Sequence, residues 1–141
     1  MLDSKIASLR QRYGRVLVVD DDLEIRALMQ DALERRGFDV VAVESGAEAL
    51  GYLARDPVAL ILLDLEMDDI NGWEVLNALK RHPRFESFRV VVVSGTNGPV
   101  PKWASYLRKP FHVDDLLTLL EQPDPKPAPR TQARASSSGG R

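Results

Sequence analysis

The chain has 141 residues and a formal net charge of −2, with 44% hydrophobic and 28% charged residues. This length suits one domain with a real core, and the near-neutral charge lacks the clustered basic excess of nucleic-acid-binding proteins. No apolar run approaches the roughly 20 residues of a membrane span. The lack of cysteine excludes disulfides and thiolate metal sites and fits a cytoplasmic protein.

The two ends of the sequence differ from its middle. Residues 1–14 carry an apolar stripe at helical spacing, which predicts an N-terminal arm that docks on the domain. The stripe consists of Leu2, Ile6, Leu9 and Tyr13. Residues 122–141 contain four prolines and no large apolar side chain, so we expect a disordered tail; four basic residues against one acid leave a weak binding arm as the alternative. The folded domain should span residues 15–121.

Within that domain, short β-branched runs alternate with stretches of helical periodicity. Val16–Val19 predicts a first strand, and the helix after it ends near Gly37, a residue suited to the positive φ of a helix C-terminus. The apolar face of that helix is formed by Ile25, Leu28, Met29, Ala32 and Leu33. Phe38–Val43 predicts a second strand, and Ser45 to Glu48 form a capping-box pattern that opens the next helix.

The second half of the domain continues the alternation. A third strand ends at Asp64, and a helix that carries Trp73 follows it and stops near His82 and Pro83. The remaining predicted elements are a strand at Val90–Val93, a short strand at Ser105–Arg108 and a helix at Val113–Leu120. Strands that alternate with helices of this length indicate βαβ units and a parallel sheet.

Four of the apolar runs end in polar residues that suit a phosphoryl group. These residues are Asp20, Asp21 and Asp22 after the first run, Asp64 after the third, Ser94 and Gly95 after the fourth, and Lys109 and Pro110 after the fifth. In an open parallel sheet, ligands bind in the crevice outside the carboxyl ends of the strands. Carboxylates, a hydroxyl and a lysine that are far apart in sequence should therefore meet at one place.

Carboxylates at adjacent strand ends are the hard oxygen ligands that Mg²⁺ prefers. Asp20 and Asp21 could supply them, with Asp64 as a further ligand. Taken singly, each motif has a structural explanation, because Asp22 sits where an aspartate commonly caps a helix and Ser94 could open an ordinary loop. The occurrence of four such motifs at strand ends favours a functional site.

The motifs VLVVDDD, LILLDLEM, VVVVSG and YLRKPF, in this order, resemble the receiver domain of bacterial response regulators. The resemblance spans roughly Arg15 to Leu120. It implies a flavodoxin-like, doubly wound α/β fold, in which a five-stranded parallel sheet of order 2-1-3-4-5 has helices on both faces. It also implies a stand-alone receiver of a two-component signalling pathway.

Carried over position by position, the resemblance implies a magnesium-dependent phosphoacceptor. Asp64 would take the phosphoryl group from a histidine kinase or a histidine phosphotransfer protein. The implied ligands of Mg²⁺ are Asp20, Asp21, Asp64 and the backbone carbonyl of Glu66. The output would be binding to a downstream protein or phosphorelay, with no enzymatic activity and with neither nucleic acid nor membrane as a partner.

Three further residues have implied roles once Asp64 is phosphorylated. Ser94 would donate its hydroxyl to the phosphoryl group and Lys109 would neutralise it, with a cis peptide between Lys109 and Pro110. Both bonds are charge-assisted and exist only in the modified state. Movement of Ser94 toward the phosphoryl group would vacate space for Tyr106, the implied switch aromatic.

The sequence departs from the family pattern in three places. The loop at residues 68–72, Asp-Asp-Ile-Asn-Gly, is more acidic than usual, although its last two residues should still turn. Glu66 adds a carboxylate where it is expected to perturb metal or water near the phosphate. Lys109 follows Ser94 by only 15 positions (109 minus 94), which is short for the family.

That short connection predicts a change in the fold. Residues 95–104 contain two prolines and two glycines and lack helical periodicity. We therefore expect an irregular loop, with the family's fourth helix shortened or replaced, and Trp103 buried against the fifth strand.

Two alternatives remain open at this point. A haloacid-dehalogenase-like phosphohydrolase would use Asp20 as nucleophile and Asp22 as acid or base, with Ser94 and Lys109 at later strand ends, but it leaves Asp64 unexplained. A degenerate receiver would signal by binding alone, without phosphorylation.

Overall fold

The computed structural model describes residues 2–67, 71–96 and 99–127. Within them, the strands are β1 (Arg15–Val19), β2 (Asp39–Val43), β3 (Leu60–Asp64), β4 (Arg89–Ser94) and β5 (Ser105–Arg108). The helices are α1 (Leu2–Arg12), α2 (Leu23–Arg35), α3 (Gly46–Arg55), α4 (Gly72–Lys80) and α5 (Val113–Leu120), with a 3₁₀ turn at Phe85–Ser87. None of these helices is long and apolar enough to cross a bilayer.

The five strands form one parallel sheet in the order β2-β1-β3-β4-β5. This order confirms the predicted flavodoxin-like fold. Every residue of β3 and β4 is buried, as expected for central parallel strands that are covered on both faces.

Alternate residues of each strand point to opposite faces of the sheet, which gives two cores. On one face, Leu17, Ile61 and Val92 pack with residues of α3 and α4. On the other face, Val18 and Leu62 pack with apolar residues of α1, α2 and α5. Helices on both faces fix the strands, so that their carboxyl ends form one stable edge.

The helix starts follow their sequence signals. Asp22 caps α2, because its Oδ1 accepts hydrogen bonds from the N–H groups of Glu24 at 2.9 Å and Ile25 at 3.2 Å. Ser45 caps α3 by accepting from the N–H of Glu48 at 3.1 Å. The predicted helix cap at Asp22 is therefore confirmed.

The N-terminal arm is helical and packs on the domain. Leu9 and Tyr13 are buried in the core between α1, α2 and α5. The side chain of Arg10 crosses the turn after α2 at Gly37, whose φ is +89°. Gly37 thus has the positive φ that its position after a helix predicts.

A buried arginine connects α1 to the chain that follows α5. The guanidinium of Arg89, at the start of β4, donates to the hydroxyls of Tyr13 at 3.1 Å and Ser105 at 2.9 Å. It also donates to the backbone carbonyls of Gln122 at 2.7 Å and Pro123 at 3.2 Å. One side chain therefore ties both terminal segments to the sheet.

Residues 122–127 belong to the segment for which the sequence predicted disorder, yet they contact the domain. The ammonium group of Lys126 lies 5.1 Å from the ring centre of Phe85 and donates to the carbonyl of Phe88. Contacts of this kind offset the ordering entropy, so the expected disorder does not apply to this part of the tail. Residues 128–141 lie outside the described residues.

The described parts of the connection from β4 to β5, residues 95–96 and 99–104, contain no helix, as predicted. The missing element is the helix that the family places between these two strands, which is distinct from α4 of this structure. Trp103 is half-buried, and its ring meets Phe85 edge-on with centroids 5.0 Å apart. The ring therefore packs on a residue that precedes β4, and the position against the fifth strand stays a prediction.

Candidate functional site

The carboxyl ends of β1 and β3 bring three aspartates together. Asp20 directly follows β1, Asp21 comes next, and Asp64 is the last residue of β3. One carboxylate oxygen from each lies within 4.8 Å of the others. Asp20 and Asp64 are only 4% and 3% exposed, whereas Asp21 is exposed.

Local backbone bonds hold the two buried carboxylates in place. Oδ1 of Asp20 accepts from the N–H of Asp22 at 2.9 Å, and Oδ1 of Asp64 accepts from the N–H of Glu66 at 3.1 Å. Each carboxylate is thereby fixed by the loop that follows its strand.

A glycine lets α4 approach the end of β3. A Cβ at Gly72 would lie 2.5 Å from the Cα of Leu65, the residue after Asp64. Asn71 caps α4 by accepting from the N–H of Glu74 at 3.0 Å. Of the predicted loop at 68–72, residues 68–70 lie outside the described residues, and the last two, for which a turn was predicted, instead form the cap and the first residue of α4.

Lys109 places a positive charge beside the two buried carboxylates. Its Nζ lies 3.3 Å from Oδ1 of Asp64 and 3.5 Å from Oδ2 of Asp20. The N–H of Lys109 donates to the carbonyl of Ser94 at 2.9 Å, and the Lys109-Pro110 peptide is cis. Lys109 therefore faces both buried carboxylates from the end of β5.

The charges at this site perturb one another. Burial, followed by the charge of Asp20, raises the pKa of Asp64 to about 6, although the N–H of Glu66 and the ammonium of Lys109 act in the opposite direction. Burial would lower the pKa of Lys109, but the carboxylates of Asp64 and Asp20 raise it above its usual value. At Asp64, burial and the charge of Asp20 together outweigh the opposing effects of Lys109 and the Glu66 N–H.

Ser94 ends β4 at the edge of the site and is 1% exposed. Its hydroxyl donates to Oε2 of Glu66, and the N–H of Gly95 donates to Oε1 of the same carboxylate at 3.2 Å. The Ser94 hydroxyl also accepts from the N–H of Thr96 at 3.1 Å. The sequence predicted a role for the Glu66 backbone carbonyl and an extra charge nearby, but not this side-chain contact.

Tyr106 contacts the same segment of chain. Its hydroxyl donates to the carbonyl of Thr96 at 2.8 Å and lies 3.4 Å from the carbonyl of Ser94. The half-buried Tyr106 is thus hydrogen-bonded to the chain that follows β4. Sequence reasoning missed Thr96, although a hydroxyl residue two positions after Ser94 was a readable signal.

The donor set fits a magnesium ion. Asp20, Asp21 and Asp64 offer hard oxygen atoms from a partly buried cluster with excess negative charge, which a divalent cation would relieve. The exposure of Asp21 leaves one side open to water, and Mg²⁺ usually keeps several water ligands. The backbone carbonyl of Glu66 stays a predicted ligand.

Sequence comparison supplies the family. A profile of the response regulator receiver domain matches residues 16–121, most of the chain. The chain belongs to this receiver family. The haloacid-dehalogenase-like alternative is therefore wrong, and its second aspartate, Asp22, caps a helix instead.

Among named relatives, the response regulator receiver protein CpdR of Brucella abortus is 30% identical over 113 residues, 77% of this chain and 94% of that protein. The DNA-binding transcriptional regulator NtrC of Escherichia coli is 33% identical over 114 residues, again 77% of this chain, but only 24% of that protein. The similarity to NtrC is therefore confined to a minor part of the longer protein.

Solved structures agree with the fold. Chemotaxis response regulator CheY4 of Vibrio cholerae has a TM-score of 0.70 at 26% identity, covering 77% of this chain and 96% of that one. Response regulator TrrA of Thermotoga maritima, solved with Mg²⁺ and BeF, has a TM-score of 0.67 at 28% identity, with the same two coverages. The receiver fold thus extends over the part of this chain that carries the site.

Proposed function

We propose that this receiver is the phosphoacceptor of a two-component pathway and takes a phosphoryl group on Asp64 in a magnesium-dependent reaction. The donor would be a histidine kinase or a histidine phosphotransfer protein. The observation that carries this proposal is the meeting of Asp64 with Asp20, Asp21 and Lys109 at one sheet edge. A turn or cap would not require two buried carboxylates beside one lysine.

Phosphoryl transfer asks a protein mainly for positioning and charge neutralisation. A carboxylate oxygen of Asp64 would attack the phosphorus of the phosphohistidine, and the P–N bond would break as the new P–O bond forms. Magnesium held by Asp20, Asp21, Asp64 and the Glu66 carbonyl would supply charge neutralisation at the phosphoryl oxygens. The N–H of Glu66 holds Oδ1 of Asp64, so the other carboxylate oxygen is left for the attack.

After transfer, Lys109 and Ser94 would bind the new phosphoryl oxygens. Lys109 already reaches Oδ1 of Asp64 at 3.3 Å, so a small movement brings it to a phosphoryl oxygen. Ser94 lies at the end of the neighbouring strand, and its backbone carbonyl is close to the Tyr106 hydroxyl. A shift of Ser94 would therefore reach Tyr106 and change the surface at β5.

An apolar groove beside the site offers a place for a helix of the phosphodonor. It has a volume of about 540 Å³ and is lined by α2 and by the chain that leads into α5. Its lining includes Ile25, Leu28, Met29, Phe111 and Lys109. Leu28 is 70% exposed, and because Lys109 borders the groove, a docked helix would lie next to Asp64. An amphipathic helix of a partner protein could lay its apolar face into such a groove.

Incubation with a small-molecule acyl phosphate and Mg²⁺, followed by intact-mass measurement, tests this function. We expect one phosphoryl adduct on the wild type, its loss when the cation is chelated, and its loss in Asp64→Asn. Asp31→Asn, which removes an exposed carboxylate of α2, should keep the adduct.

An adduct that survives in Asp64→Asn would show that Asp64 is not the acceptor. No adduct under any condition would favour the degenerate receiver, which binds its partner without phosphorylation.

A further inference from the structure

One of the two side chains proposed to bind a phosphoryl group on Asp64, Ser94, already donates its hydroxyl to a carboxylate of the chain itself. Glu66 receives the Ser94 hydroxyl on one carboxylate oxygen and the Gly95 N–H on the other. Ser94 is almost fully buried, so water does not compete freely for its hydroxyl. The bonds are charge-assisted, which makes them stronger than bonds between neutral groups.

The placement of Glu66 explains how it reaches these donors. Its backbone N–H holds the carboxylate of Asp64 at 3.1 Å, while its side chain crosses from the end of β3 to the end of β4. A carboxylate offers two negative oxygens to two donors, as a phosphoryl group would. Glu66 therefore stands in for the phosphoryl group at Ser94.

The contact extends to the switch tyrosine. The Ser94 hydroxyl accepts from the N–H of Thr96 at 3.1 Å, and the carbonyl of Thr96 accepts from the Tyr106 hydroxyl at 2.8 Å. Glu66 is thus the first group in a connected series of bonds that ends at Tyr106. Loss of its bond to Ser94 would loosen the chain on which Tyr106 rests.

We propose that Glu66 is a positioning residue: an internal anion that holds Ser94 and, through it, Tyr106 in the unphosphorylated protein, and that releases Ser94 when Asp64 is phosphorylated. The proposal rests on the proposed function of Asp64. Release follows from charge, because a phosphoryl group carries about two negative charges and would repel a carboxylate on the same donors. The Ser94–phosphoryl bond would then replace an existing bond instead of adding a new one.

The test uses Glu66→Ala and Glu66→Gln, each alone and combined with Ser94→Ala. Phosphorylation by an acyl phosphate with saturating Mg²⁺ is followed by intact mass. We expect Glu66→Ala to raise the apparent rate of adduct formation about tenfold, the equivalent of about 1.4 kcal/mol. Glu66→Gln keeps one acceptor oxygen without the charge, so its rate of adduct formation should lie between those of the wild type and Glu66→Ala.

A matched control and a double-mutant cycle separate the mechanism from a general charge effect. Glu24→Gln removes an exposed negative charge from the first turn of α2 and should leave the rate unchanged. In the Ser94→Ala background, removal of Glu66 should no longer raise the rate. If the increase persists there, or if Glu66→Ala matches the wild type, the proposal is overturned.

Urea unfolding of the wild type, Glu66→Ala, Ser94→Ala and the double variant, without phosphodonor, measures the bond itself. We expect the Glu66 and Ser94 substitutions to be non-additive by about tenfold in the unfolding constant. Additive effects would overturn the holding role, whatever the phosphorylation result. If no variant forms an adduct, the proposed phosphoacceptor role of Asp64 is wrong, and the release step falls with it. The holding role of Glu66 is judged by the unfolding result.

Discussion

Both ends of the sheet bury charge, but they satisfy it differently. At the carboxyl end, Asp20 and Asp64 are buried side by side with one lysine between them, and the pKa of Asp64 rises to about 6. At the amino end, Arg89 is 2% exposed and donates to hydroxyl and carbonyl oxygens. The first arrangement sets two buried carboxylates against one lysine, whereas the second has its hydrogen bonds made.

The difference separates a binding site from a structural one. A buried charge whose hydrogen bonds are all made stabilises one conformation and needs no further partner. Buried like charges raise the free energy of the folded state, and a ligand of opposite charge lowers it again. Four predictions probe this contrast.

The largest expected effect is at the amino end. Arg89→Met should lower the free energy of unfolding by about 3 kcal/mol, because the hydroxyl and carbonyl acceptors lose their donor in a buried place. Urea denaturation measures the change. Arg35→Met is the control, since Arg35 is exposed and pairs with Asp31 one helical turn away, so its loss should change stability by less than about 0.5 kcal/mol. Equal effects would mean that the Arg89 bonds contribute little.

Magnesium should act at the carboxyl end alone. At about a hundredfold excess over its dissociation constant, it should stabilise the wild type by about 2.7 kcal/mol, seen as a higher melting temperature. Asp20→Asn and Asp21→Asn should weaken this gain, while Arg89→Met should keep it. If all variants gain equally, the ion does not bind at the aspartate cluster.

Removal of one charge from the cluster should stabilise the metal-free protein. The folded-state pKa of Asp64 is about 6, against a usual value of 3.8, so the folded protein binds the proton more tightly than the unfolded chain. The free energy of unfolding of the wild type should therefore fall as pH rises from 3.8 to about 6. Asp64→Asn should not show this loss. At about pH 8, the variant should be more stable than the wild type by about 2 kcal/mol.

Unfolding in the presence of a chelator, at several pH values, measures this difference. It should shrink toward acid pH, where Asp64 is protonated in both states. A variant less stable than the wild type at all pH values would show that the bonds to Lys109 and Glu66 outweigh the repulsion.

The smallest expected effect is at the tyrosine that Arg89 contacts. Tyr13→Phe removes one acceptor from a buried guanidinium and should lower the free energy of unfolding by about 1 kcal/mol. Tyr52→Phe is the comparison, because its hydroxyl accepts from Arg15, a residue near the surface, and should matter less. Urea denaturation of both variants ranks the two bonds, and a larger loss at Tyr52 would contradict the contrast.

The sequence predicted the carboxyl end well because a parallel sheet brings strand ends together. Asp20, Asp64 and Lys109 each follow a recognisable apolar run, so their meeting required only the fold. Ser94 ends such a run too, but its hydroxyl faces Glu66. The absence of the fourth helix from the described part of 95–104 was equally readable, because proline and glycine act locally.

The amino end was not predictable in the same way. Arg89 reads as an ordinary charged residue before a strand, and its acceptors come from α1, β5 and the chain after α5. Two of them are backbone carbonyls, at Gln122 and Pro123, which any residue could supply. Composition alone predicted disorder for that segment. The side chain of Glu66 was missed for a related reason, because spacing does not tell which way a loop carboxylate turns.

Two separate features of the structure favour glycine at position 37. Its φ of +89° favours glycine, and a Cβ there would lie 2.5 Å from Nη1 and 2.8 Å from Cδ of Arg10 in α1. Asparagine tolerates a left-handed backbone and could suit the first feature, but not the second unless Arg10 moved. A single position between α2 and β2 thus links the end of one helix to the packing of the N-terminal helix α1.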